Sequence, residues 1–290
     1  MRGSQAARVR AEVHGRAWSW GALSWGLLCA VALFAGAATS CRGPVARVAE
    51  GHPLTAKVRA GLRDDSGTTF DHAPFTALLQ AHVRGARVDY AALAQDRAAL
   101  SAYLERLAQA DVSTLGPSEQ TAFFINAYNA YTLELILNHY PLESIRDLAD
   151  PWKQEICRVA GERVSLDFIE HQVLRVPELL GDPRVHFAVN CASISCPPLQ
   201  GEAFVGARVE QQLEHAAHAT LSDPRYVAVD KSCVRVSPIF DWFAADFVAA
   251  KGSVAAFVSG YRPDLTQLAE QGDAALCYFG YDWRLNDIER

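Results

Sequence analysis

The stretch Thr121 to His139, TAFFINAYNAYTLELILNH, constrains the fold most, because apolar side chains would occupy nearly every face of the helix it forms. Gly116-Pro117 makes a good start, with proline tolerated in the first turn, and Pro141 ends the helix, which is expected over about 118–139. A surface helix carries one apolar stripe, whereas a helix apolar all round has neighbours on every side. The chain should therefore pack around this element. Asn126 and Asn129, one turn apart, are its polar anomaly. A buried amide without a partner costs ~1–3 kcal/mol, so both must bond something, with loop backbone the obvious candidate. They read either as structural clamps or as the lining of a site.

The remaining pattern is of shorter elements. Helical spacing runs from Asp71 to about His82 and from about Ala91 to Ala110, the latter with a stripe of Leu93, Leu100, Tyr103, Leu104 and Leu107. Two hairpins are expected, one turning at Ala160-Gly161 and one at Asp230-Lys231-Ser232. Ser165 suits the N-cap of a helix from Leu166 to Arg175, and further helices are expected within Glu202 to Leu221, after Ser237-Pro238 and from Ser253 to Tyr261. The aromatic end CYFGYDWRLND reads as a last strand docked on the core. Val185 to Val189 reads as a short buried strand following a turn at Asp182-Pro183. The class is α+β, predominantly helical, with a small sheet of short strands.

The chemistry lies in VHFAVNCASISCPPL, residues 185–199. Strand alternation puts His186 and Asn190 on one face, and Pro197 and Pro198 then force a tight loop carrying Cys191 and Cys196. In one reading Cys191 or Cys196 is a nucleophile, His186 or His171 its base, and Asn126, Asn129 or Asn190 an orienting or oxyanion-binding amide. Such a thiol needs its pKa lowered from about 8.5 before it attacks at neutral pH. The layout is similar to that of papain and transglutaminase, except that the central helix here carries asparagines and no cysteine. Glu170 and His171 share a helix with Arg175, whose spacing suits an ion pair with Glu170 or a stack on His171. In a second reading Cys191 and Cys196 form a disulfide contributing ~2 kcal/mol. A metal site of His171, His186, Cys191 and Cys196 has wider ligand gaps than the common two-residue spacing, and no metal or other cofactor is assigned. Two inert buried thiols are the remaining alternative.

Charge and address limit the partners. Net charge is −6 with dispersed basic residues, which gives no basis for a nucleic-acid surface. Arg2, Arg8, Arg10 and Arg16 precede an uncharged apolar run from Gly21 to Ala38, the pattern of a secretory signal over residues 1–41. Ala38-Thr39-Ser40-Cys41 resembles a bacterial lipobox, with Ala38 where leucine is preferred, so lipidation of Cys41 is expected. A cleaved signal without lipid and a retained membrane helix are the alternatives, and all three place residue 42 onward outside the cytoplasm. Residues 42–66 read as a tether and 67–290 as one globular domain. Besides the membrane, a protein or small-molecule ligand is the expected partner. Five cysteines remain after Cys29 and Cys41, so at least one should be free or pair with another molecule.

Six collinear blocks, FFINAYNAYTLELIL, YPLESIRDL, SLDFIEHQVLR, DPRVHFAVNCASISCPPL, SPIFDWFAADF and YDWRLN, together resemble the family of the domain of unknown function numbered 547, which occurs in bacteria and plants. The resemblance runs from Phe70 to Asn286. Phe124 stands where the family usually has tryptophan, and Phe204 and Phe243 where tyrosine is commoner. What the resemblance implies is a fold and a core rather than a reaction.

Overall fold

The computed structural model describes residues 46–63 and 66–289, which belong to one compact unit. The expected export signal, Cys41 and the first residues of the expected tether lie outside them.

The expected central helix is α5, Pro117–Leu137, numbered after α1 (Pro53–Gly61), α2 (Ala73–His82), α3 (Tyr90–Gln95) and α4 (Arg97–Gln109). Of its 21 residues 18 are buried, so it is a core element along its length. One apolar cluster surrounds it, including Phe75, Tyr103, Phe123, Phe124 and Leu166. A second gathers Phe187, Phe240, Phe247 and Phe257.

Two segments differ from the expectation upstream. The stretch read as a tether contains α1, whose Leu54 and Val58 are completely buried. Pro53 opens this helix, His52 Nδ1 accepts the Leu54 N–H at 3.1 Å, and Lys57 Nζ donates to Ala160 O and to Glu162, each at 2.7 Å. Two apolar residues four apart are too few to show a period, yet they suffice once tertiary contacts hold the helix. The single helix expected over 91–110 is two, because the chain turns at Asp96 between α3 and α4. Asp96 Oδ2 there meets His82 Nε2 at 2.8 Å.

Short strands pair locally, β1 (Val83–Arg84) with β2 (Arg87–Val88) and β3 (Cys157–Val159) with β4 (Glu162–Val164), both antiparallel. The second hairpin turns where expected, with Ala160 and Gly161 both at positive φ (52° and 80°), the backbone of a tight hairpin turn matched to strand twist. A third sheet has the order β5 (Val227–Val229), β6 (Val234–Val236), β7 (Leu276–Tyr278), with β7 parallel to β6. Cys233, the residue before β6, and Cys277 on β7 form a disulfide. The aromatic C-terminus thus supplies a strand, as its composition suggested.

After α6 (Leu166–Ile169), capped by Ser165 Oγ, the helix widens into a π-turn over Glu170–Leu174, with Arg175 N–H donating to Glu170 O at 3.0 Å. Such widened turns recur at functional sites. The rest of the chain adds α7 (Val209–Ser222), α8 (Ile239–Trp242), α9 (Ala244–Lys251), α10 (Val254–Tyr261) and α11 (Thr266–Gln271).

Residues 183–187 are not a strand. They form a 3-10 helix, capped by Asp182, whose Oδ1 accepts the Arg184 N–H at 2.8 Å, and opened by Pro183. The Asp-Pro pair that reads as a turn is equally a helix start, and it prevails over the β-branched composition of so short a run. His186 and Phe187 still diverge, His186 facing a cavity and Phe187 entering the second cluster.

Candidate functional site

Loop 190–196 is fixed from two sides. From α5, Asn129 donates through Nδ2 to Ala188 O (2.9 Å) and accepts the Asn190 N–H (2.8 Å). Asn190 in turn accepts the Ala192 N–H (2.9 Å) and donates to Pro197 O (2.8 Å), holding Ala192 in a left-handed conformation at φ 57°. From the C-terminus, residues 282–286 lie antiparallel to the loop: Ile194 N–H donates to Arg284 O (2.9 Å), Ser195 N–H to Asp282 O (3.2 Å) and Asn286 N–H to Ala192 O (3.2 Å). This pairing brings Tyr281 to Cys191.

Cys191 Sγ, Ser193 Oγ and Tyr281 Oη form a triangle with sides of 3.3, 3.2 and 3.2 Å. The Cys191 N–H donates to Cys196 Sγ at 3.0 Å. Both sulfurs are unbonded; the disulfide among the described residues is Cys233–Cys277, so a fixed Cys191–Cys196 staple is not what the structure holds. Cys191 is partly exposed, while Cys196 and Cys157 are buried. A hydrogen bond from the Cys196 thiol outweighs burial at Cys191 and, with those from Ser193 and Tyr281, holds its pKa below the ordinary thiol range. Burial and the neighbouring sulfur push Cys196 well above that range. Burial also raises Tyr281, which stays a hydroxyl donor. A thiolate in this loop therefore belongs on Cys191.

The sulfurs open on a cavity of about 390 Å³ that is also lined by His186, Glu170 and His171. Aromatic rings form much of its wall: Trp283 lies 4.4 Å from Tyr281, 5.8 Å from Trp242 and 5.7 Å from Trp152, centroid to centroid. Arg146, its guanidinium 5.3 Å from the Trp283 ring, and Lys153 stand among the lining residues.

His186 is buried and stacked on Phe243 at 4.0 Å. Its Nε2 meets Asp246 Oδ2 at 2.9 Å, and its Nδ1 stands 3.9 Å from Glu170 Oε1. Burial depresses the imidazole pKa, although Asp246 and Glu170 act in the opposite sense. At neutral pH the ring is thus uncharged, with the Nε2 proton donated to the carboxylate and Nδ1 a lone-pair acceptor. Asp246 is held by an Arg175 fork, Nε to Oδ2 at 2.6 Å and Nη2 to Oδ1 at 3.1 Å. Burial opposes its ionisation, but the bonds from His186 and Arg175 prevail and keep its carboxyl below the usual range. Arg175 therefore pairs with Asp246 and His171 and not with Glu170.

Five of the seven expected site residues, His171, Glu170, His186, Cys191 and Cys196, line one cavity. Asn126 and Asn129 do not. Asn126 exchanges two bonds with the Phe204 backbone, Nδ2 to O at 2.7 Å and Oδ1 from N at 2.9 Å, and both amides act as clamps in the described contacts. Asp246, Tyr281 and Ser193 were not singled out from the sequence. Asp246 and Tyr281 reach the site from 60 and 90 residues beyond their partners, with no local pattern to announce them. Among the described residues no group of three or more His, Cys, Asp and Glu side chains is arranged to hold a metal, and no helix is long and apolar enough to cross a membrane.

No curated protein and no solved structure matches the chain. Residues 112–220, which run from just before α5 through the π-turn and the Cys191–Cys196 loop to α7, match the family model described as "Protein of unknown function, DUF547", and the chain carries a domain of that family.

Proposed function

We propose that this is an exported, membrane-tethered cysteine-dependent hydrolase or acyltransferase of the cell envelope, acting on amide-like substrates with Cys191 as nucleophile. The observation that carries the reading is a sulfur on a cavity wall, hydrogen-bonded to two hydroxyls. In the proposed step the Cys191 thiolate attacks the carbonyl carbon, the C–N bond breaks and the amine leaves with a proton. Water or a second amine then releases the acyl group from the thioester. His186 and Glu170 line the same cavity and are the groups placed to supply that proton. Trp152, Trp242 and Trp283 supply an apolar seat for the acyl portion. Export is supported by the arginine-rich leader and lipobox-like Cys41, and a Cys233–Cys277 disulfide suits an oxidising compartment.

The test is the pH profile of iodoacetamide alkylation of the native protein, with modified peptides identified, alongside turnover of acyl p-nitroanilides. Cys191 should react fastest of the free thiols, with a midpoint below the ordinary value of about 8.5. Turnover should vanish in Cys191→Ser. A Cys191 that alkylates no faster than Cys157, or titrates at the ordinary value, removes the nucleophile. For the tether, palmitate fed to expressing cells should label the wild type and not Cys41→Ala; equal labelling would sink the lipobox reading.

A further inference from the structure

The two thiols of the cavity differ in a way that single-nucleophile chemistry does not need. Both cysteines line the cavity, Cys191 partly exposed and Cys196 buried, with the Cys196 sulfur 3.0 Å from the Cys191 amide nitrogen and 3.8 Å from Val189 O. The loop between them is pinned on both flanks, by Asn129 and Asn190 on one side and by residues 282–286 on the other, so both cysteines are held at the same cavity. Tyr226 Oη donates to Cys196 O at 2.8 Å, anchoring the second cysteine as well. Cys157, the third unbonded cysteine of the described residues, is buried on β3 and is not part of the cavity lining.

We infer that Cys191 and Cys196 are an exchanging dithiol, with Cys191 attacking a small-molecule disulfide admitted to the cavity and Cys196 resolving the product. In the first step the Cys191 thiolate forms a bond to one sulfur of the disulfide and the other sulfur leaves as a thiolate. In the second, Cys196 passes its proton to the thiolate released in the first step and its sulfur attacks Cys191 Sγ; the mixed disulfide breaks, its outer half leaves as a thiolate, and a Cys191–Cys196 bond remains. Two electrons pass from the pair to the small disulfide, whose two halves leave as thiols carrying the protons the cysteines gave up. An outward thiol that favours its thiolate and an inner one that keeps its proton match the attacking and resolving roles. The bond would withdraw the nucleophile of the proposed acyl chemistry. The inference shares that thiol but does not require its acyl step.

Oxidised glutathione is the probe. The full chain is exposed to it at neutral pH, quenched with N-ethylmaleimide and mapped by peptide mass. The wild type should yield an internal Cys191–Cys196 bond with alkylation of Cys191 reduced by more than about tenfold, restored by dithiothreitol. Cys196→Ser should stop at glutathione held on Cys191, and Cys191→Ser should take up none. Wild type that stops at the mixed disulfide as Cys196→Ser does, two thiols still alkylatable after exposure, or an internal bond that dithiothreitol does not open would each overturn the inference. Turnover of p-nitroanilides by the reduced protein reports on the acyl reading separately, so either can fail alone.

Discussion

Asn126 and Asn129 are chemically alike and one turn apart on α5, yet they should respond differently to truncation. Each exchanges two hydrogen bonds with a loop, Asn126 with Phe204 and Asn129 with Ala188 and Asn190. Removing either side chain strands buried backbone groups and should cost ~2–3 kcal/mol in urea denaturation. Only Asn129 holds the segment that aims Cys191. Asn129→Ala should therefore slow Cys191 alkylation as well as lower stability, whereas Asn126→Ala should lower stability alone. Equal alkylation in the two variants would mean that the loop is aimed from its C-terminal side. From the sequence, two amides on an all-apolar helix already demanded partners. Which backbone they would meet was not legible, because it depends on how residues 188–190 and 204 return to α5.

At the scale of elements, the π-turn of α6 and helix α9 meet through Arg175 and Asp246, whose side chains are 6% and 8% exposed. Breaking such a pair leaves a buried charge, so Arg175→Met should destabilise by ~3–5 kcal/mol. The double variant Arg175→Met/Asp246→Leu should recover much of that loss. The pH dependence follows from the two depressed pKa values. A depressed carboxyl stabilises the fold above its unfolded pKa of about 3.9 and loses that contribution as pH falls through the folded value. A depressed imidazole means that the unfolded chain binds protons first, so stability also declines as pH falls below about 6.5. The wild type should therefore weaken on acidification in two stages, and Arg175→Met should unfold at higher pH because Asp246 loses its fork. An unchanged acid midpoint would show that His186 alone holds the carboxylate. Elements were legible where a local rule decided them: α5 by apolar residues on all faces, the β3–β4 hairpin by Ala160-Gly161. The 3-10 helix at 183–187 was not, since Val185, Phe187 and Val189 suit a strand while the Asp182 cap decides otherwise.

The whole molecule joins two apolar clusters, and the catalytic reading places its residues on both. Cys191 is pinned by α5 and the C-terminal segment, while Asp246 and Phe243 come from the helices of the second cluster. The disulfide closes a loop of 44 residues between β6 and β7, immediately before Tyr281. By the chain-entropy argument such a loop is worth about 4 kcal/mol, so Cys277→Ser should lose stability on that order in urea. Residues 282–286 would still be held by their own bonds to loop 192–195 and by Asn286, completely buried, whose Oδ1 accepts from Tyr90 Oη at 2.8 Å. The pH midpoint of Cys191 alkylation should therefore stay in place in Cys277→Ser and move up in Tyr281→Phe, which removes a donor from the sulfur without touching the strand. If Cys277→Ser instead moves that midpoint as far as Tyr281→Phe does, the sheet, and not the pairing with the loop, is what presents Tyr281 to the thiol.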